Sequence, residues 1–175
     1  TPTIKKAVDS RIISGDTKTR AMTQKILIKN PKILQKIQNK KAFISQLANA
    51  LEFATILTYE QGVGLLKKVN EETHWNLNLN EIARIWQGGC IVRSDYLLKL
   101  EHSYGKDKNL AQKADRNILK ILAGQKQKDL RQIISLATTN GVPTPGLYST
   151  LSYFDSYCHK DLPQNLIQAQ RVLFG

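Results

Sequence analysis

Residues 41–73 read KAFISQLANALEFATILTYEQGVGLLKKVNEET. Phe43, Leu47, Ala50, Leu51, Ala54, Leu57, Leu65, Leu66 and Val69 recur mainly at three- and four-residue intervals, so a single helix could bury one continuous face. At 1.5 Å per residue such a helix would run ~50 Å, more than a small domain needs, which predicts passage through a larger assembly. Gly62 and Gly64 interrupt the apolar pattern, each costing ~1 kcal/mol relative to alanine inside a helix. Close approach of another helix, or a kink, explains them more simply than a ligand contact.

The rest of the chain follows the same period. After residues 71–80, EETHWNLNLN, where Asn78 or Asn80 can cap, a short helix EIARIW is expected. QGGC follows it, and then a helical segment IVRSDYLLKLEHSYG that Gly105 ends. Further helices are expected over 109–123 and 128–139, the second stopped by Asn140 and Gly141. VPTPG makes a turn from which a helix starts near Pro145, and Pro163 opens a terminal helix at a first-turn position, where its missing N–H is harmless. Residues 21–41, with their lysines, Asn30-Pro31 and Asn39, read as a loop or a pair of short helices. No strand-like alternation exceeds four residues. The expected fold class is all-α, a multi-helix domain with one long central helix and a C-terminal helical tail.

The 175 residues suit one domain with a full core. There is no apolar run of membrane-spanning length and no signal-type N-terminus, so a cytoplasmic protein with no membrane partner is expected. Two cysteines, Cys90 and Cys158, cannot build a disulfide framework and read as reduced thiols. Because the chain begins at Thr1, it is expected to be a piece of a longer protein. Lysine and arginine number 26 against 14 acidic residues, a net charge of +12 that biases the surface toward anionic partners. The lysines are scattered with no nucleic-acid-binding signature, so solvated helix faces account for them and nucleic acid is not the expected ligand.

Enzyme motifs are missing: no GxGxxG after a strand, no GxxxxGK[ST], no HExxH, no GxSxG. His74, His102 and His159 lie on separate segments and read as surface or helix-end residues, so no metal site is expected. The arginines Arg11, Arg20, Arg84, Arg93, Arg116, Arg131 and Arg171 are candidates for an anion, since a guanidinium grips phosphate oxygens bidentately. Composition alone does not rank them.

Two stretches are more specific. IARIWQGGCIVRSDYL resembles the IxxxWRGGCIIRSxFL segment of 6-phosphogluconate dehydrogenases, and LPQNLIQAQRVLFG resembles their LPANLIQAQRDYFG near the C-terminus. ALEFATILTYEQGVGLL, GVPTPGLYSTLSYFDSY and AVDSRIISGDTKTR resemble further family segments, in the family's order. The resemblance covers most of the chain, sparing chiefly 25–41 and 101–128. It implies that residues 1–160 are the second part of the family's all-helical domain and 161–175 a tail reaching toward a partner subunit of a homodimer. It also implies a full-length parent enzyme that converts 6-phosphogluconate to ribulose 5-phosphate and carbon dioxide with NADP. This chain matches neither the family's Rossmann domain nor its catalytic lysine and glutamate. No catalytic, cofactor-binding or metal-binding residue is therefore expected in it, and alone it should be inactive. Two arginines gain a role by resemblance: Arg20, in DTKTR, and Arg171, in QAQR, would bind the substrate phosphate from two different subunits. Trp86, Gly88 and Gly89 would serve packing, and Asn165, Gln168 and Gln170 would bond to backbone or partner helices. The chain departs from the family pattern at Gln87, where WRGG is expected, at Cys158, and in Val172-Leu173. The alternative is a stand-alone helical binding or assembly module that uses its basic surface without dehydrogenase activity.

Overall fold

A computed structural model describes residues 1–27, 37–103, 120 and 123–175. Eight helices are described: α1 Pro2–Gly15, α2 Thr17–Leu27, α3 Lys40–Thr73, α4 Leu79–Gln87, α5 Asp95–Ser103, α6 Gln125–Thr139, α7 Pro145–Cys158 and α8 Asn165–Phe174. No strand occurs among the described residues, and no helix among them is long and apolar enough to cross a membrane.

The central helix α3 extends over 34 residues. Asn39 starts it, its side-chain oxygen accepting from the Ala42 amide at 3.0 Å, and His74 ends it in a left-handed conformation. Because neighbouring residues on a helix point about 100° apart, α3 can supply two cores at once. Ala50, Phe53 and Leu57 meet Leu130, Ile133 and Ile134 of α6 and Leu151 of α7. Ile56 and Val63 meet Ala83 of α4 and Tyr96, Leu97 and Leu100 of α5. Phe53 and Phe154 close the first core edge to face, with centroids 5.3 Å apart. Charged and polar bonds fix the same seams. Asp129 on α6 is buried and accepts from Asn49 on α3 at 2.6 Å and from Gln125 at 2.9 Å, while Arg131 forks onto Asp155 of α7. Lys126 pairs with Glu52.

Gly62 and Gly64 serve no close packing among the described residues. A Cβ at either would meet no atom of them within 4 Å, and α3 runs unbroken through both. Of the two possible caps for α4, Asn78 is used, accepting from Asn80 and Glu81 amides at 3.1 and 3.2 Å. The helical segment expected directly after QGGC begins only at Asp95. Gly89 at φ +95° redirects the chain, Arg93 closes a turn onto the Cys90 carbonyl at 3.0 Å, and the acidic Asp95 suits a first helical turn. The stop at Asn140-Gly141 is as expected and is a full Schellman motif. Gly141 at φ +70° donates to Thr138 at 3.1 Å, and Val142 donates to Ala137 at 2.8 Å. Pro163 lies in the turn ahead of α8 rather than in its first turn. Asn165 donates to Leu162 at 2.9 Å there, before regular helix begins. Of the two readings of residues 21–41, 21–27 take the helical one and continue α2, and residues 28–36 lie outside the described residues. The helix expected over 109–123 falls almost wholly outside the described residues.

Tyr153 and Tyr157 on α7 stack with centroids 4.6 Å apart. Burial, then the hydrogen bond and charge of Tyr157 and the charge of Glu60, push the Tyr153 phenol up to about 12. A raised folded-state pKa means the stabilising contribution is complete below the unfolded value of about 10 and is lost as pH rises toward 12. In an ultraviolet titration, Tyr153→Phe is expected to remove absorbance that appears only above pH ~11, leaving the earlier part of the curve unchanged. Loss of an earlier component instead would refute the assignment.

Candidate functional site

The arginines separate by what they touch. Arg84 donates to Glu81 at 2.8 Å, and that bond and charge hold its pKa above the usual value. Arg131 is committed to Asp155. Arg116 lies outside the described residues. The guanidinium groups of Arg11, Arg93 and Arg171 have no hydrogen bond or ion pair among the described residues.

Arg20 sits in α2, which Asp16 caps by accepting from the Thr19 amide at 3.1 Å. One of its N–H groups donates back to the Ser14 carbonyl at 2.9 Å, so the side chain folds across the junction of α1 and α2. It lines an open groove of about 480 Å³ with Ile12, Ile13, Asp16, Thr19, Thr23, Gln24 and Leu27. Arg11 lies one turn before Ser14 on α1 and is exposed. The α1–α2 arm is thinly attached: Thr3 is the one buried residue on α1, and α2 has none.

Arg171 sits on α8, where every residue from Pro163 to Gly175 is exposed. Leu166, Ile167, Val172, Leu173 and Phe174 are 60 to 85% open to solvent. Asn165, Gln168 and Gln170 make no side-chain hydrogen bond among the described residues. The groove beside Arg171, about 500 Å³, is lined among the described residues by Gln168, Arg171, Val172, Phe174 and Gly175. Within one chain the two sequence-selected arginines therefore line separate grooves with no residue in common.

A further groove, about 640 Å³, lies between α1, α3, α7 and the turn after α4. Its floor is the small-residue face Ala54, Thr55, Thr58 and Gly62. At its edge lies a constellation the sequence reading missed. Gln61, 4% exposed, accepts from the Thr3 amide at 3.3 Å and donates to the Thr3 hydroxyl at 2.9 Å, and that hydroxyl lies 3.3 Å from Thr150 Oγ1. The available signal was Gln61 standing four residues after Leu57 on the face of α3 that is otherwise apolar.

Trp86 is half-buried against the second core, as a packing role requires. Gln87 donates to Glu101 at 2.7 Å, and Asn80 donates to the Glu101 carbonyl at 2.6 Å, joining α4 to α5. His74 and His159 are helix-end residues. Cys90 and Cys158 are free and exposed. No cluster of three metal-ligating side chains occurs among the described residues.

These features define a class: an all-helical domain with two exposed appendages, each bearing arginine, set on a two-core body. Comparison with known proteins makes the class specific. All of residues 1–175 match the family model for the 6-phosphogluconate dehydrogenase C-terminal domain. The decarboxylating 6-phosphogluconate dehydrogenase of Staphylococcus epidermidis is 38% identical over 172 residues, covering 98% of this chain and 36% of that protein. A Spinacia oleracea enzyme of the same name is 37% identical over 178 residues, covering 99% and 37%. The structure of Plasmodium falciparum 6-phosphogluconate dehydrogenase, described with its cofactor NADP+ and its substrate 6-phosphogluconate, superposes with a TM-score of 0.85. It is 36% identical, covering 97% of this chain and 36% of that one. The chain belongs to the 6-phosphogluconate dehydrogenase family, matching its C-terminal domain, and spans little more than a third of the length of these relatives.

Proposed function

We propose that this chain is the C-terminal helical part of an NADP-dependent, decarboxylating 6-phosphogluconate dehydrogenase acting in the cytoplasm. It would supply dimer surface and one corner of the substrate-phosphate site. The supporting observation is the match of the whole chain and fold to that domain, with arginines standing unpaired or partly free on its appendages. Residues 1–160 form the second part of the helical domain in this reading, and 161–175 the tail offered to the partner of a homodimer. Arg20 of one subunit and Arg171 of the other hold the phosphate, each by charge-assisted bonds about twice as strong as neutral ones.

NADP, when bound by the complete enzyme, would supply the hydride acceptor for this chemistry. The described residues offer it no cradle: no strand leads into a glycine-rich turn among them. The dinucleotide, the lysine base and the glutamate acid belong, on this reading, to the length of the relatives that the chain does not span. What these residues do is bind and orient a dianionic ester, leaving hydride transfer and loss of carbon dioxide to groups elsewhere.

The protein in its complete reading frame is expected to reduce NADP+ with 6-phosphogluconate and not with unphosphorylated gluconate, while residues 1–175 alone turn over neither. Arg20→Ala should raise KM for 6-phosphogluconate about tenfold, the lower part of the range for a charged hydrogen bond, because one N–H already serves Ser14. Arg11→Ala is the comparison, since Arg11 stands on the same arm with nothing bound. A large KM effect there, with none in Arg20→Ala, would move the phosphate contact to α1 and overturn the role of Arg20. The net charge of +12 favours one second reading, a basic helical module that binds other anions. Nucleic-acid binding that falls steeply with salt, without any dehydrogenase activity in the complete protein, would establish it instead.

A further inference from the structure

We infer that Gln61, with Thr3 and Thr150, is a latch that sets the orientation of the α1–α2 arm, making Gln61 a positioning residue for the anion site; this rests on the function proposed above.

The arm carries Arg11 and Arg20 but almost no core of its own. α1 lies against α7, yet Ile4, Val8, Ile12 and Ile13 on α1, and Met22, Ile26 and Leu27 on α2, are all more than half exposed. Apolar contact is nondirectional and tolerates sliding or rotation of one helix on another. A buried hydrogen-bonded trio does not, because displacement strands polar groups away from water, at a cost exceeding the net gain of making the bonds.

The trio joins three helices at one point. Thr3 is 8% exposed, Gln61 4% and Thr150 1%. Gln61 uses both ends of its amide on Thr3, accepting from the backbone N–H and donating to the hydroxyl. The Thr3 hydroxyl also meets Thr150 Oγ1, and Thr150 Oγ1 lies 2.9 Å from the Gly146 carbonyl, which ties the trio to the first turn of α7. Thr3 is therefore fixed in rotation as well as position. From there α1 runs without another buried residue to Arg11 and to the turn where Arg20 meets Ser14. A small change of helix direction at Thr3 grows along the arm and displaces the guanidinium groups most.

The test uses the protein in its complete reading frame. Gln61→Met keeps the side-chain length and removes the bonds. Thr3→Val removes one hydroxyl, and Thr3→Ser keeps it. Gln61→Met and Thr3→Val are each expected to raise KM for 6-phosphogluconate about fivefold, roughly the worth of one buried hydrogen bond, with kcat changed less than about twofold. The double variant should be little worse than either single one, because both break the same unit. Thr3→Ser should restore the wild-type KM. Trypsin should cut Gln61→Met faster after Lys18 and Arg20, with the same bonds slow in wild type and Thr3→Ser. A fall in melting temperature with KM and arm cleavage unchanged would overturn the latch. So would additive effects of the two substitutions. Failure of the underlying reading looks different: the wild-type complete protein would then show no 6-phosphogluconate-dependent reduction of NADP+, whereas the tryptic pattern of the arm would still report on the latch.

Discussion

Phe53→Ala is expected to lower the stability of the folded chain by about 3–5 kcal/mol, the range for truncating a buried aromatic side chain. Phe53 is fully buried and sits where α3, α6 and α7 converge, against Leu57, Leu130 and Ile134. Its edge-to-face contact with Phe154 adds about 0.5–1.5 kcal/mol to what area burial alone contributes. Three rigid helices line the void, so little collapse is available to fill it. Since domains of this size are stable by only about 5–15 kcal/mol, a large part of the folded population is at stake. Urea unfolding followed by circular dichroism measures the change, and Phe53→Leu should cost much less by keeping most of the volume. A loss below about 1 kcal/mol for Phe53→Ala would mean that the first core is not packed as described.

Arg171→Ala carries the largest expected functional effect. In the complete protein KM for 6-phosphogluconate should rise about 10- to 100-fold, the worth of charged hydrogen bonds to a phosphate. The effect should exceed that of Arg20→Ala because no group among the described residues shares the Arg171 guanidinium. Arg171→Lys keeps the charge but loses the fork, so an intermediate KM is expected. The inter-subunit arrangement has its own test. Mixing Arg20→Ala and Arg171→Ala proteins under conditions of subunit exchange should restore activity, since each hybrid dimer regains one site with both arginines. No recovery, with hybrids demonstrated by mass, would show that the two side chains do not serve one site from two copies. A light-scattering mass of one chain for the complete protein would exclude the homodimer itself.

How legible each part was depends on the range of the interactions that set it. The helical period over 41–73 and the stop at Asn140-Gly141 are local, each decided within a turn or two of backbone, so they could be read directly, and the cap of α4 could be narrowed to Asn78 or Asn80. The all-α class follows from them, and the candidate arginines from the resemblance of short motifs. The turn over 91–94 was not legible, because QGGC announces a break without fixing where the next helix resumes; the Arg93 amide closing onto the Cys90 carbonyl delays it to Asp95.

Sequence by itself determined the all-α class, the extent of α3 and which family the motifs resemble, but not the buried face of α3: Phe53, Ile56 and Val63 enter the cores, whereas Leu51 and Leu65, expected on the buried face, are more than half exposed. Tertiary structure decided what periodicity cannot encode. It split the faces of α3 between two cores, with neighbours such as Ile56 and Leu57 serving different ones, and it left Gly62 in open space instead of under a packed helix. It also joined Thr3, Gln61 and Thr150 across 58 and 147 residues of chain. The physical reason is that helix signals arise from bonds four residues apart. Hydrogen bonds between helices depend on where three separately specified rods meet, and no local pattern records that.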